Sequence, residues 1–276
     1  LFPIVATEEL VPRVRLYRIH APRVARKAAA GQFVILRVDA HGERIPLTIA
    51  DWDAAEGTVS VVFMEVGTTT TRLARLKPGD VIADLCGPLG NPTEVENFGT
   101  VCLMAGGFAT ATIMPIARAM KAAGNRVIIV VGARNKDLLF WRERLAENSD
   151  ELIITTDDGS AGRKGVVTEP VKERLERGER IDRVIAIGPS IMMKFSSLTT
   201  KPFGVKTIVS MNPIMVDGTG MCGCCRVSVA GQTRFACVDG PEFDAHAIDW
   251  DNFMARQRTY IDEEKRSLEI CRCPTA

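Results

Sequence analysis

The chain has 276 residues and a formal net charge of +1, length enough for about two domains and no electrostatic reason to expect nucleic acid or an anionic membrane as partner. Its longest apolar runs, 127–132 and 184–188, are strand-sized and fall far short of the ~20 residues of a membrane helix; no apolar leader segment opens the sequence. Eight cysteines, most of them late in the chain, read as metal ligands in a reducing cytoplasm rather than as a secreted disulfide framework.

From residue 14 the sequence falls into short apolar runs, 14–19, 33–38, 46–50, 59–64 and 81–85. They are parted by turn chemistry at Ala30-Gly31-Gln32, His41-Gly42, Glu56-Gly57 and Lys77-Pro78-Gly79-Asp80. Strands this short and evenly spaced predict a small antiparallel β-barrel. Within it, Arg44-Ile-Pro-Leu-Thr-Ile-Ala-Asp51 sets the Thr48 hydroxyl beside an apolar wall, with Pro46 stiffening the strand start. Gly67-Thr-Thr-Thr-Thr71-Arg72-Leu73 offers amides and hydroxyls before a helix-like run. That suits a pyrophosphate, and it equally suits a solvated turn. Cys86 and Cys102, in apolar strand contexts, read as inert core thiols.

From Thr100 strand alternates with helix: strands over 101–105, 126–131, 151–156, 183–187 and 206–209, helices over 112–123, 136–147, 169–177 and 190–199. This predicts a five-strand, doubly wound parallel α/β sheet with its ligand mouth at the C-terminal strand ends. Three loops fall on that rim: Gly106-Gly107-Phe108-Ala-Thr110, Thr155-Thr-Asp157-Asp158-Gly159-Ser160 and Gly188-Pro189-Ser190-Ile-Met192-Met193. The first lets backbone approach a pyrophosphate, although a Gly-Gly pair is also an ordinary tight strand-to-helix turn. Pro115 is tolerated in the helix that follows if it lies in its first turn.

The stretch 217–237 carries ligands as Asp217-x4-Cys222-x2-Cys225-x11-Cys237, the spacing of plant-type 2Fe-2S ferredoxins with Asp in place of the first Cys. Three readings stand at this point: a 2Fe-2S cluster, a structural zinc, for which this is also ordinary spacing, or unligated buried thiols. After Asp249 the chain is helical and charged. It reads either as a solvated helix lying back on its own domain or as a partner-binding helix anchored by Trp250, Phe253 and Tyr260. Cys271-Arg-Cys273 is a weak metal signal.

Taken together, Pro46-Leu-Thr48, Gly67-x-x-Thr70, Lys77-Pro-Gly-Asp80, Gly87-Pro-Leu-Gly90, Gly106-Gly107, Asp157-Asp158-Gly-Ser160 and Gly188-Pro189-x-x-Met192-Met193 resemble the ferredoxin-NADP reductase superfamily. With the C-terminal loop added, the chain is similar to the electron-transfer subunits of dihydroorotate dehydrogenase. Met211-Asn-Pro-Ile-Met-Val-Asp-Gly-Thr-Gly-Met-Cys222 and Ala236-Cys-Val-Asp-Gly-Pro-Glu-Phe-Asp244 bring it closer to the small subunits of NADH-dependent reduced ferredoxin:NADP oxidoreductase, also called sulfide dehydrogenase small subunits. This resemblance covers nearly the whole chain.

The resemblance implies an FAD-binding barrel over 1–97, with Pro46, Leu47 and Thr48 against the isoalloxazine, Phe63 and Met64 from the next strand, and Gly67, Thr69 and Thr70 near the pyrophosphate. It implies an NAD-binding domain over 98–210, with the dinucleotide over Gly106, Gly107, Thr110, Asp157, Asp158, Gly188, Pro189 and Met192. A 2Fe-2S module over 211–244 would use Asp217, Cys222, Cys225 and Cys237, followed by a charged tail over 245–276. Two departures stand out. The superfamily's flavin arginine is displaced by one position, so that Arg44 is followed by Ile45 where it is expected, and Cys224 replaces a small residue.

The implied activity is hydride exchange between NAD(H) and the flavin, then electron passage through the cluster to a larger FAD and iron-sulfur partner subunit that serves ferredoxin, in an electron-bifurcating oxidoreductase. Zinc has no redox chemistry, so beside these sites the loop is expected to be an electron relay. His20, His41 and His246 lie in unrelated contexts, and no general acid-base catalysis is expected. A zinc-stabilised, non-catalytic binding module is the alternative from another class, and Arg134 leaves NADP(H) open as the nucleotide.

Overall fold

The computed structural model describes residues 1–272. In its first part run β1 (Phe2–Val11), β2 (Val14–His20), the single turn α1 (Pro22–Ala25), β3 (Phe33–Arg37), β4 (Arg44–Asp53), β5 (Thr58–Met64), α2 (Thr68–Leu73), β6 (Val81–Ile82) and β7 (Asp84–Leu89). The strands form one antiparallel sheet in the order β6-β1-β2-β5-β4-β3-β7. Only Ala83 separates β6 from β7, so a single kinked segment supplies both edges and closes the expected barrel. Period-two alternation fills it: Val59, Val61 and Phe63 of β5 and Val34 and Leu36 of β3 point inward. Tyr17 packs edge-on against Phe63 with ring centroids 5.1 Å apart, and its hydroxyl donates to the carbonyls of Leu73 (2.9 Å) and Leu76 (2.7 Å). A buried phenol is thereby satisfied, and the end of α2 is tied to the barrel. β1 was not among the expected strands, because FPIVATEELV faces solvent over much of its length and alternates weakly.

The second sheet comprises β8 (Thr100–Gly106), β9 (Arg126–Ala133), β10 (Glu151–Thr156), β11 (Arg163–Lys164), β12 (Arg183–Ile187) and β13 (Lys206–Ser210). Beyond these lie the hairpin β14 (Arg226–Val229) and β15 (Gln232–Phe235), and then β16 (Glu242–Asp244). The sheet order is β11-β10-β9-β8-β12-β13-β16. The five expected strands run parallel, but the sheet is mixed and seven-stranded: β11 adds a short parallel edge, and β16 adds antiparallel to β13. Its helices are α3 (Thr110–Ala122), α4 (Arg142–Glu147), α5 (Thr168–Glu176) and α6 (Ser190–Thr200), followed by α7 (Trp250–Arg256) and α8 (Ile261–Arg272). Near-continuous apolar strands such as RVIIVVGA of β9 are what a sheet covered on both faces requires.

Three expectations change here. The helix expected over 136–147 is broken into a 3-10 turn at Lys136–Leu138 and α4, because Trp141 takes left-handed backbone (φ 56°) and packs edge-on to Phe140, 5.5 Å between centroids. Phe140 fills a small core with Val14, Ala50, Val62 and Ala111, so the break serves the seam between barrel and sheet. Pro115 lies in the second turn of α3, not the first, since that helix begins at Thr110; there it withholds an amide and crowds the carbonyl of Ala111. Cys86 is exposed rather than buried, whereas Cys102 is wholly buried and desolvation pushes its thiol up to about 12.

β3 explains how the C-terminal region sits. Its run Phe33-Val-Ile-Leu36 does not alternate because both faces are covered. Val34 and Leu36 face the barrel interior, while Phe33 and Ile35 join a core with Met211, Met215, Cys225, Val227, Cys237 and Phe243. Burial of large side chains at about 1.5–3 kcal/mol each docks this region on the barrel while β16 fixes it to the sheet. Trp250 and Phe253 are buried in the same core, and Trp250 Nε1 donates to Ala245 O at 3.0 Å. They are therefore not anchors for a partner; of the three expected, only Tyr260 is exposed. α8 lies back over α2, with Thr68 Oγ1 and Ser267 Oγ 2.8 Å apart. Cys273 falls outside the described residues. Among the described residues no helix is long and apolar enough to cross a membrane.

Candidate functional site

Along the sheet, the sequence order reverses between β8 and β12. In a doubly wound sheet the crevice outside the strand ends at such a switch point is where ligands bind. The turns there touch: a Cβ on Gly188 would stand 3.1 Å from Gly106 N, and one on Gly106 would meet Met192 Sδ at 2.7 Å and Pro189 Cδ at 2.9 Å. Gly106 is thus a packing glycine. Gly107 differs, since its φ is +60° and nothing lies within 4 Å of a Cβ built there. It leaves open space beside the turn, which Thr110 braces by donating to Gly107 O at 2.8 Å.

One cleft of about 280 Å³ gathers residues from all three regions. Pro46, Leu47, Thr48, Val62, Phe63, Met64 and Thr70 come from the barrel; Gly106, Phe108, Ala109, Thr112, Gly188 and Pro189 come from the sheet rim; Met211, Asn212, Met215 and Pro241 come from the C-terminal region. Its size, at the lower edge of the ~300–1,000 Å³ usual for ligand pockets, suits a planar ring system with the rest of a dinucleotide outside.

Several expected residues have other employment. The Phe63 ring is 1% exposed and belongs to the barrel core, so the alternate residues Val62 and Met64 present side chains on the opposite face of β5. Thr69 Oγ1 donates to Glu43 Oε2 at 3.1 Å. Thr70 Oγ1 accepts from the amides of Val66 and Gly67, both at 3.1 Å, and so braces the start of α2; Gly67 has open space where a side chain would lie. Asp157 and Asp158 follow β10, two strands from β8, and do not line the cleft. Asp158 accepts from the amide (2.9 Å) and hydroxyl (2.6 Å) of Ser160, which hold its carboxyl below the usual range. Met192 acts as the wedge between Gly106 and Gly188. Arg134 is exposed just past β9.

Residues the sequence reading did not single out complete the rim. Gln257, after α7, pairs its Oε1 with Ser190 Oγ and donates from Nε2 to Asn212 O (3.3 Å) and Oδ1 (3.2 Å). It ties the start of α6 to the C-terminal region. Nothing local marks a glutamine 67 residues from its partner.

The ligand loop lies against this assembly. Asp217 accepts from the amides of Thr219 (2.7 Å) and Cys222 (2.8 Å), and these bonds hold its carboxyl below the usual range. Cys225 and Cys237 are buried with sulfurs 3.2 Å apart, and burial, reinforced by Cys225, pushes the Cys237 thiol up to about 12. Cys222 is exposed and Cys224 half-buried. Gly218, at φ +79°, sits where a Cβ would meet Leu89 Cδ1 at 2.7 Å and Ile35 Cγ1 at 2.9 Å, so the loop rests directly on β3 and β7. Among the described residues no three Cys, His, Asp or Glu side chains converge as they would round a single ion. A two-iron cluster divides its ligands between two irons. One close thiol pair, a further thiol and an ionised carboxylate on one glycine-bent loop fit that donor set in chemistry and spacing.

Residues 212–249 match the family described as the iron-sulfur cluster binding domain of dihydroorotate dehydrogenase B. A Thermotoga maritima protein described as a dihydroorotate dehydrogenase B (NAD(+)) electron transfer subunit homolog is 50% identical over 96% of this chain and 95% of its own length. The probable electron transfer subunit from Methanopyrus kandleri is 32% identical, over 92% and 94%. The chain belongs to the dihydroorotate dehydrogenase B electron-transfer-subunit family. Among solved structures, a chain from the NADH-dependent reduced ferredoxin-NADP oxidoreductase, studied for flavin-based electron bifurcation, shares 49% identity with this family member at a TM-score of 0.93, covering 98% of this chain and 97% of that one. A ferredoxin NADP+ reductase from Neisseria gonorrhoeae with bound FAD and NADP, 18% identical over 74% of this chain and 90% of its own, has the same fold at a TM-score of 0.59.

Proposed function

We propose that this chain is the FAD and 2Fe-2S electron-transfer subunit of an NADH-dependent, electron-bifurcating ferredoxin:NADP oxidoreductase, working with a larger flavin and iron-sulfur subunit in the reducing cytoplasm. The observation that carries it is the single cleft walled jointly by barrel, sheet rim and C-terminal region, beside a loop with cluster spacing. When bound, the nicotinamide, flavin and cluster supply hydride exchange and one-electron passage; the protein's part is to bind and orient them.

In this reading Pro46 and Thr48, with the backbone of Leu47 between them, form the floor for the flavin ring, and Met64 and Val62 its side. Met211, Met215 and Pro241 make the cleft apolar and keep water from the reacting faces. Gly106, Gly188 and Met192 set the separation of the two rim turns, while the open space at Gly107 admits a phosphate. Gly67 and the first amides of α2, which lack helical partners by geometry, receive the flavin's pyrophosphate. Asp217, Cys222, Cys225 and Cys237 hold the cluster, close to β3 of the flavin barrel. Cys224 is left as a neighbour rather than a ligand.

The preparation is expected to show flavin absorbance, two irons with inorganic sulfide per chain, and flavin bleached faster by NADH than by NADPH. Zinc without iron, or flavin untouched by NADH, would refute the reading. A second reading, the electron-transfer subunit of dihydroorotate dehydrogenase itself, is favoured by the family match over 212–249. The partner that co-purifies distinguishes the two: one that oxidises dihydroorotate supports the second, and one that exchanges electrons with ferredoxin and NADP(H) supports the first. A sulfide dehydrogenase role would appear as NADPH-dependent polysulfide reduction by the same complex.

A further inference from the structure

Arg44 lies on β4 with Pro46 and Thr48. Alternation sends Ile45, Leu47 and Ile49 against the barrel interior and leaves Arg44 on the face that carries Pro46 and Thr48. From there Arg44 Nε donates to Val216 O at 2.7 Å, and Nη2 to Asp217 O at 3.3 Å. These two carbonyls belong to residues 172 and 173 positions away, at the point where the ligand loop begins. The next residue, Gly218, is the one pressed on Ile35 and Leu89. The position expected for a flavin-binding arginine is occupied by Ile45, which is half-buried and packs against the barrel core.

We propose that Arg44 is a positioning residue for electron transfer: it fixes the ligand loop at Asp217 to the flavin strand, and its charge stabilises the reduced form of a cluster held there. The inference rests on the proposed cofactor set. Guanidinium is suited to the task because its planar fork serves two acceptors at once and it stays ionised at all relevant pH values. Both carbonyls would otherwise depend on solvent, and the loop's start would be held to the barrel by apolar contacts of Met215 and Gly218 alone, without a directional bond. One strand would then carry the platform for the flavin ring and the brace for the cluster, so their separation would be set by a rigid β-ladder rather than by a flexible loop.

The test uses the full chain, purified anaerobically as wild type, Arg44→Gln and Arg44→Lys, with iron, sulfide and FAD content, a redox titration of the cluster's EPR signal, and stopped-flow reduction by NADH. Arg44→Gln is expected to keep its iron and FAD and to be reduced at the flavin by NADH as fast as wild type. Its flavin-to-cluster equilibrium should fall about tenfold, the scale of one unit charge acting over roughly 12 Å at an effective dielectric near 20. Arg44→Lys, which keeps charge but loses the fork, should retain the potential and slow the transfer. If Arg44→Gln does not fold, a wild-type transfer rate in Arg44→Lys would overturn the proposal. An unchanged cluster potential in Arg44→Gln would overturn it too, as would loss of FAD with the cluster unaffected, which would return Arg44 to the flavin. A wild-type protein lacking iron would instead refute the functional reading, and the inference with it.

Discussion

Substituting Gly106 by alanine tests whether the two rim turns are held apart by a single thioether. Gly106 has φ −110° and ψ 121°, extended backbone that alanine adopts freely, so the perturbation is steric alone. The new methyl would stand 2.7 Å from Met192 Sδ and 2.9 Å from Pro189 Cδ, both closer than carbon contacts allow. Overpacking of this kind costs about 1–3 kcal/mol. Met192 can swing away, being unbranched, whereas the Pro189 ring cannot, which places the expected loss near 1–2 kcal/mol. For a protein of this size that is a fall of roughly 2–8 °C in Tm. Because relief spreads the turns that end β8 and β12, KM for NADH should rise roughly fivefold while bound FAD is unchanged. Thermal unfolding and NADH titration would be run on Gly106→Ala, Met192→Ala and the double variant. The double variant should recover part of the loss, with a coupling energy of about 0.5–2 kcal/mol. A wild-type Tm and KM in Gly106→Ala, or strict additivity in the double variant, would refute the wedge.

Gly107→Ala should behave oppositely: its methyl meets no protein atom and its φ of +60° costs about 1–2 kcal/mol in backbone strain, but the methyl occupies the space assigned to a phosphate. NADH affinity measured by titration should therefore drop further than in Gly106→Ala for an equal change in Tm. Gln257→Ala removes the link between Ser190 and Asn212; at about 0.5–1.5 kcal/mol it should raise KM for NADH some two- to tenfold with kcat little altered in steady-state assays. Burial pushes the Glu242 carboxyl above its ordinary value, although Thr93 Oγ1 donates to it at 2.6 Å. Its folded pKa exceeds its unfolded one, so its contribution is full below about pH 4 and is lost as pH rises through the folded value. Glu242→Gln keeps the acceptor without the titration, and its Tm advantage over wild type should grow from pH 4 to pH 8; a constant difference would contradict the assignment.

Much of the site was legible locally because its chemistry is carried by contiguous segments. Gly106-Gly107, Gly188-Pro189 and the Asp217 to Cys237 spacing each mark a turn that must bend round something, and each falls on the rim or loop where it was expected. What local pattern left open has a common cause. Phe63 borders the cleft and also packs its ring in the barrel core, and alternation alone does not say which face of the strand is inside; Tyr17, 46 positions earlier, settles that by packing on it. Between a helix lying back on its own domain and a partner-binding helix anchored by Trp250 and Phe253, the sequence leaves the choice open. The core that covers both residues draws on β3, more than two hundred residues upstream, and decides for the first.

The sequence by itself determined the kinds of structure, a barrel followed by an alternating sheet and a ligand loop, since periodicity and turn residues act over a few positions. It also contained, in the unalternating run Phe33-Val-Ile-Leu36, the sign that a strand of the barrel is covered on both faces. Only the tertiary structure decided what covers it. The closure of the barrel through Ala83, the antiparallel edge strand β16, the Gln257 bridge and the turn of Arg44 toward Val216 and Asp217 join residues far apart in the chain. Such contacts form where separately specified surfaces meet in space, and no local pattern records which surface will be opposite.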